Sequence, residues 1–201
     1  MSTQQGDEMK SIRFWVVVVV VLLSVPSLVR AGAPTDQLSA SINEFITILS
    51  NTPVAELQAT GLPESARRLV FARFDFSEMT KRSLGSHWKS LDQGEQGEFV
   101  NAFTQRLLVA YGKTVRSSVN EKFQFTHEVQ EGAQASVESK FVNADGETSI
   151  DYRLHDVDGQ WKVYDVLIDH VSLVNNYRAQ FDRVIAKSSV QELLRKMRNQ
   201  D

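Results

Sequence analysis

Cysteine is absent from this 201-residue chain, so neither a disulfide framework nor thiolate chemistry is open to it. A basic excess is missing as well. The chain has 22 Lys+Arg against 25 Asp+Glu, with no basic cluster interleaved with aromatic residues. That balance has the wrong sign for a surface that tracks nucleic-acid phosphates. No G-x-S-x-G elbow, phosphate-cradling glycine loop or H-E-x-x-H pair occurs, which removes the common local signatures of hydrolase, nucleotide and zinc-protease chemistry. The four histidines, His87, His127, His155 and His170, are scattered. Metal binding needs converging donors at fixed distances, and none is expected here. No internal repeat or low-complexity segment is present.

A long apolar run is also lacking. Phe14 to Val25 (FWVVVVVVLLSV) gives about twelve residues, well short of the roughly 20 that span a bilayer. Lys10 and Arg13 precede this run, Pro26 breaks it, and Ala31-Gly32-Ala33 offers an A-x-A site. This is the pattern of an export signal over residues 1–33, cleaved near Ala31 to Ala33. Residues 34–201 are then expected to form a single domain large enough for a real core. Taking three basic and two acidic residues of the leader from 22 and 25 leaves 19 against 23, a net charge of −4.

What is present is periodic. Leu38, Ile42, Phe45, Ile46 and Leu49 form the stripe of an amphipathic helix that Asn51 and Pro53 end. A short helix over 54–60 stops at Gly61. Pro63 then suits a first helical position, and Ala66, Leu69, Val70 and Phe74 form the next stripe. Asp75 with Glu78 caps a helix that Gly85 stops, and Asp92 with Glu95 repeats the starting signal. The longest helix follows, with Phe99, Phe103, Leu107, Tyr111 and Val115 at i+4 spacing.

Near Asn120 the period changes to two. Phe123, Phe125, His127 and Val129 alternate, as do Ala135, Val137, Ser139 and Phe141, and then Ile150, Tyr152 and Leu154. Glu131-Gly132, Asp145-Gly146 and Asp158-Gly159 are the turns between them. The stretch from Gln160 to Phe181 (QWKVYDVLIDHVSLVNNYRAQF) begins as a strand, with Trp161 and Val163 on one face and Tyr164, Val166 and Ile168 on the other. A strand apolar on both faces has something to cover on each side. It runs directly into a helix through Leu173, Val174, Tyr177, Phe181 and Val184, and a last helix follows Ser189. The expected fold class is α+β: helices packed on one face of a curved four-stranded antiparallel sheet, enclosing an apolar pocket.

Within that stretch lie Asp165 and Asp169, with Asp151 nearby. A carboxylate among apolar residues can act as a general base. No second catalytic group stands at a recognisable spacing, and pairing of Asp165 with Arg153 or Arg178 is the plainer expectation.

Phe74-Asp75-Phe76, Leu84-Gly85, Trp88, Tyr152-Arg153-Leu154, Trp161-Lys162-Val163-Tyr164-Asp165-Val166, Val171-Ser172-Leu173-Val174 and Asn176-Tyr177-Arg178-Ala179-Gln180-Phe181 occur in that order. This series resembles the MlaC family, periplasmic phospholipid-binding proteins of the Mla pathway, also called the toluene-tolerance auxiliary family. The resemblance runs from about Leu38 to Met197. One departure is His170, where a small residue, commonly glycine, is expected before Val-Ser-Leu.

The resemblance implies a periplasmic carrier that moves glycerophospholipids between an outer-membrane lipoprotein–porin complex and an inner-membrane ABC-transporter complex, supporting outer-membrane lipid asymmetry. Phospholipid would be cargo, with no cofactor and no reaction catalysed. Residues expected to line the lipid site are Phe103, Leu107, Tyr111, Phe123, Phe125, Ile150, Tyr152, Val163, Val166, Ile168, Val174 and Tyr177, with Lys162 and Arg178 at its rim or on a docking surface. No polar constellation for one headgroup is evident, so several headgroups should be tolerated. Two other readings stay open from the residues alone. One is an enzyme on a nuclear-transport-factor-like α+β cone with Asp165 or Asp169 as base; the other is an exported protein-interaction adaptor.

Overall fold

In the computed structural model, which describes residues 33–198 apart from 54, 58–60, 118–121 and 144–145, helices precede and follow a β-meander. The expected leader, apart from Ala33, lies outside the described residues. So does part of the short helix expected over 54–60, of which 55–57 are helical. Helix α1 (Pro34–Asn51) opens on a proline, whose missing N–H would be unpaired there anyway. Helix α2 (Glu64–Arg73) starts one residue after Pro63. Helix α3 (Phe76–Leu84) is capped by Asp75, whose carboxylate accepts from Glu78 N at 2.8 Å. Gly85 ends it at φ +56°, and a Cβ there would stand 3.0 Å from the Arg178 guanidinium. A 3₁₀ turn (Gly85–Ser90) leads to the longest helix, α4 (Gln93–Ser117). Its start is a reciprocal capping box: Asp92 Oδ1 accepts from Glu95 N at 2.8 Å, and Glu95 Oε2 from Asp92 N at 3.1 Å.

The sheet has five strands, not the four expected. They are β1 (Lys122–Glu131), β2 (Gln134–Asn143), β3 (Gly146–Val157), β4 (Gln160–Ile168) and β5 (Val171–Ser172), antiparallel and in sequence order. The passage from β4 to a helix is not direct. Asp169 and His170 both take positive φ (47° and 65°), a two-residue turn that sends Val171 and Ser172 back along β4 before helix α5 (Leu173–Ile185) begins.

Two bulges overturn the simple alternation. In β1 the pairing shifts between Phe125 and His127, leaving Thr126 extra. In β4 it shifts beside Tyr164, because Arg153 pairs with Asp165 and Leu154 with Val163. One added residue exchanges the faces of everything beyond it. Trp161, Val163, Val166 and Ile168 therefore share a face, whereas alternation put the first two opposite the last two. By the same shift Val129 leaves the covered face and is 41% exposed, and Glu128 stands opposite Val137.

Two cores result. Leu38 of α1 packs on Val137, Leu154, Trp161 and Val163, and the Glu128 carboxylate accepts from Thr35 N at 2.7 Å, an acid at the positive end of α1. The second core joins α3, α4, α5 and α6 (Val190–Arg198) through Met79, Leu84, Phe99, Phe103, Phe181 and Leu194. Of these helices α3 and α5 meet the sheet at β4. Asp165, pointing from β4 away from Val166, holds the start of α5, so the helices are not confined to one face of the sheet.

Candidate functional site

Between the two cores lies an apolar cavity of about 640 Å³. Helix α1 supplies Leu38, Ile42, Phe45, Ile46 and Leu49, its whole stripe; α2 supplies Leu69, Val70 and Arg73. From α4 come Leu107, Leu108, Tyr111 and Gly112, and from the sheet Phe123, Phe141, Ile150, Tyr152, Val166 and Ile168. The space is partly open to solvent. The lining offers water few partners, so the space suits a hydrocarbon guest.

Its polar groups are few and mostly occupied. The Tyr152 hydroxyl stands beside Ser139, whose own hydroxyl donates to Ile150 O at 2.6 Å, and burial pushes the Tyr152 pKa up. Burial and the neighbouring Tyr177 raise Tyr111 likewise. Both phenols are neutral in the wall. Among the described lining residues Arg73 alone carries a charge. Its Nε donates to Ser41 Oγ at 2.9 Å, and its Nη1 donates to Gln37 Oε1 at 3.0 Å and to Trp161 O. Gln37 also accepts from Trp161 N and donates to Gly159 O, so one side chain ties α1 to β4.

Of the residues expected at a lipid site, Leu107, Tyr111, Phe123, Ile150, Tyr152, Val166 and Ile168 line this cavity. Phe103, Val174 and Tyr177 lie instead in the helical core, with the Phe103 ring edge-on to Tyr177 at 4.9 Å. Val163 is fully buried in the sheet core, and Phe125 packs against that core. Lys162 donates to Ala72 O and borders a separate depression of about 320 Å³ with Phe71 and Asp75. Arg178 is exposed and covers Gly85. Sequence reasoning missed the α1 wall and Arg73. The α1 stripe was legible as buried, but periodicity does not distinguish a face against side chains from a face against a hollow.

Asp165 is 2% exposed and fully engaged. It accepts from Ser172 Oγ at 2.7 Å, Val174 N at 3.1 Å and Arg153 Nη1 at 3.2 Å. Its place is structural, tying the start of α5 to β4. Asp169 accepts from Ser149 N at 3.1 Å, and Asp151 from Ser149 Oγ at 3.0 Å. Among the described residues no cluster of three or more His, Asp or Glu side chains could hold a metal ion, and no helix is long and apolar enough to cross a membrane.

The pattern of one protein family, described as "MlaC protein", matches residues 39–199. Seven chains of solved structures match. Among them is the phospholipid-binding protein from Ralstonia solanacearum in complex with a phospholipid, with a TM-score of 0.75 and 21% identity over 83% of this chain and 95% of that one. At that identity the likeness is one of fold. No curated protein sequence matches the chain.

Proposed function

The chain belongs to the MlaC family, and from that premise we propose that it is a phospholipid carrier whose cavity shelters the acyl tails. One observation carries the reading: a space of about 640 Å³ walled almost wholly by hydrocarbon in a domain that has two filled cores beside it. The phospholipid bound by the Ralstonia protein of the same fold supports it.

The energetics suit a carrier. Tails gain about 0.8 kcal/mol per buried CH₂, so two chains of about 30 carbons represent on the order of 20 kcal/mol gross. That approaches the ceiling for noncovalent affinity, and a carrier must give most of it back on delivery. A smooth aliphatic and aromatic wall favours such release over a tight polar cage. Leu107, Tyr111, Phe123, Ile150, Tyr152, Val166 and Ile168 would touch the tails. Phe103, Phe125, Val163, Val174 and Tyr177 would back that wall, and Lys162 and Arg178 would belong to the docking surface. The protein works in the periplasm, exchanging glycerophospholipids between an inner-membrane ABC-transporter complex and an outer-membrane lipoprotein–porin complex. Binding and release are its whole chemistry.

Native mass spectrometry of the protein purified without detergent tests this. Masses of bound glycerophospholipid are expected. A lipid-free protein that also takes none from phospholipid vesicles would remove the carrier reading.

A further inference from the structure

Among the described residues the cavity wall is hydrocarbon and neutral polar groups except at Arg73. This guanidinium is half-buried, and burial lowers its pKa. Its partners are a hydroxyl, an amide oxygen and a backbone carbonyl, and among the described residues no carboxylate lies within ion-pair distance. Arg has five N–H donors in a fixed fork. Nε and Nη1 use three, which leaves the two on Nη2 without an acceptor among the described residues. Ser41 and Gln37 on α1 and Trp161 on β4 fix the guanidinium through Nε and Nη1, at a residue that lines the cavity. A charge kept at an apolar wall without a counter-ion is costly unless an anion arrives with the guest. A phosphodiester supplies one negative charge and paired oxygens that match the fork.

We propose that Arg73 anchors the headgroup, its Nη2 side taking the phosphodiester of a glycerophospholipid whose tails fill the cavity. Such an anchor reads the phosphate and not the alcohol beyond it. This explains how a wall with no further charged group among the described residues can prefer phospholipids while accepting several headgroups. The assignment rests on the carrier reading.

The test uses lipid uptake from phosphatidylglycerol vesicles carrying a minor share of diacylglycerol with the same acyl chains, read by native mass spectrometry and corrected for vesicle composition. The wild type should favour the phospholipid. Arg73→Gln should reduce that preference at least about tenfold, the scale of a hydrogen bond to a charged group, with phospholipid uptake falling far more than diacylglycerol uptake. Arg73→Lys, which keeps the charge but not the fork, should fall between the two, and it serves as the test if Arg73→Gln does not fold. An unchanged preference in the variants overturns the assignment. A proportional loss of both lipids together with a lower melting temperature also overturns it, as the mark of a merely structural clamp. Inorganic phosphate at constant ionic strength should not displace the lipid; displacement would assign the site to a free anion instead. A wild type that takes neither lipid is a different result and strikes the carrier reading itself.

Discussion

Asp165 shows how much one buried carboxylate can be asked to hold. Three donors from three elements (β3, β5 and α5) converge on it, and the N–H of Val174 is buried with it. Replacing Asp165 with Ala would strand the Ser172 hydroxyl and that N–H, each losing its acceptor away from water. The Arg153 contribution is discounted, since its side chain is 44% exposed and screened by solvent. A loss of about 2–4 kcal/mol is expected, measured as a lower denaturant midpoint with the slope unchanged. A loss under about 1 kcal/mol would mean that the carboxylate does not organise the junction. Arg153 as a candidate partner, beside Arg178, was legible in the sequence, though only the bulge beside Tyr164 sets it opposite Asp165. The bond to Val174 N was not, since it depends on a turn that the alternation hides. Arg73 was less legible still: beside Leu69 and Val70 it reads as an ordinary solvated charge until α1 is placed across from it.

Elements were read more securely than their junctions. The four principal strands, the long helix α4 and the capped starts of α3, α4 and α6 follow from period and punctuation, which are local signals. Bulges and the β5 return are set by pairing between distant residues, so no local window carries them. The Asp169-His170 turn is the exception in part, because the departure from glycine at His170 pointed at it. Both residues sit in the left-handed region, where an L side chain costs roughly 1–2 kcal/mol. His170 has a mostly exposed ring and only a 3.5 Å contact to Asp151 in return. His170→Gly relieves the strain but adds freedom to the unfolded chain. The net expectation is a gain of about 0.5–1 kcal/mol, seen as a modest rise in melting temperature. A fall would show that the His170–Asp151 contact outweighs the backbone term.

At the scale of the whole molecule the two cores are separate because the space between them is not filled. Helix α1 rests on the sheet at Leu38 and on Glu128 at its start, then continues past the sheet core with Ile42, Phe45 and Ile46 facing the hollow. Domain interiors are normally packed to the density of organic crystals, so an apolar hollow of this size is room for a guest. Ligand that binds only the folded state stabilises it in proportion to the logarithm of its concentration over Kd. Val166 lines the hollow beside Tyr152 and Ile150. Val166→Trp adds bulk where the wall has room, and it should occupy the volume a tail requires. The lipid-free variant is expected to melt at or above the temperature of lipid-free wild type, because the added ring gains contacts the empty wall lacks. Removing lipid from the wild type should lower its melting temperature by several degrees, whereas the variant should show no such difference and carry no lipid mass. Full lipid occupancy in Val166→Trp would mean that the tails lie elsewhere and that this hollow is not the binding space.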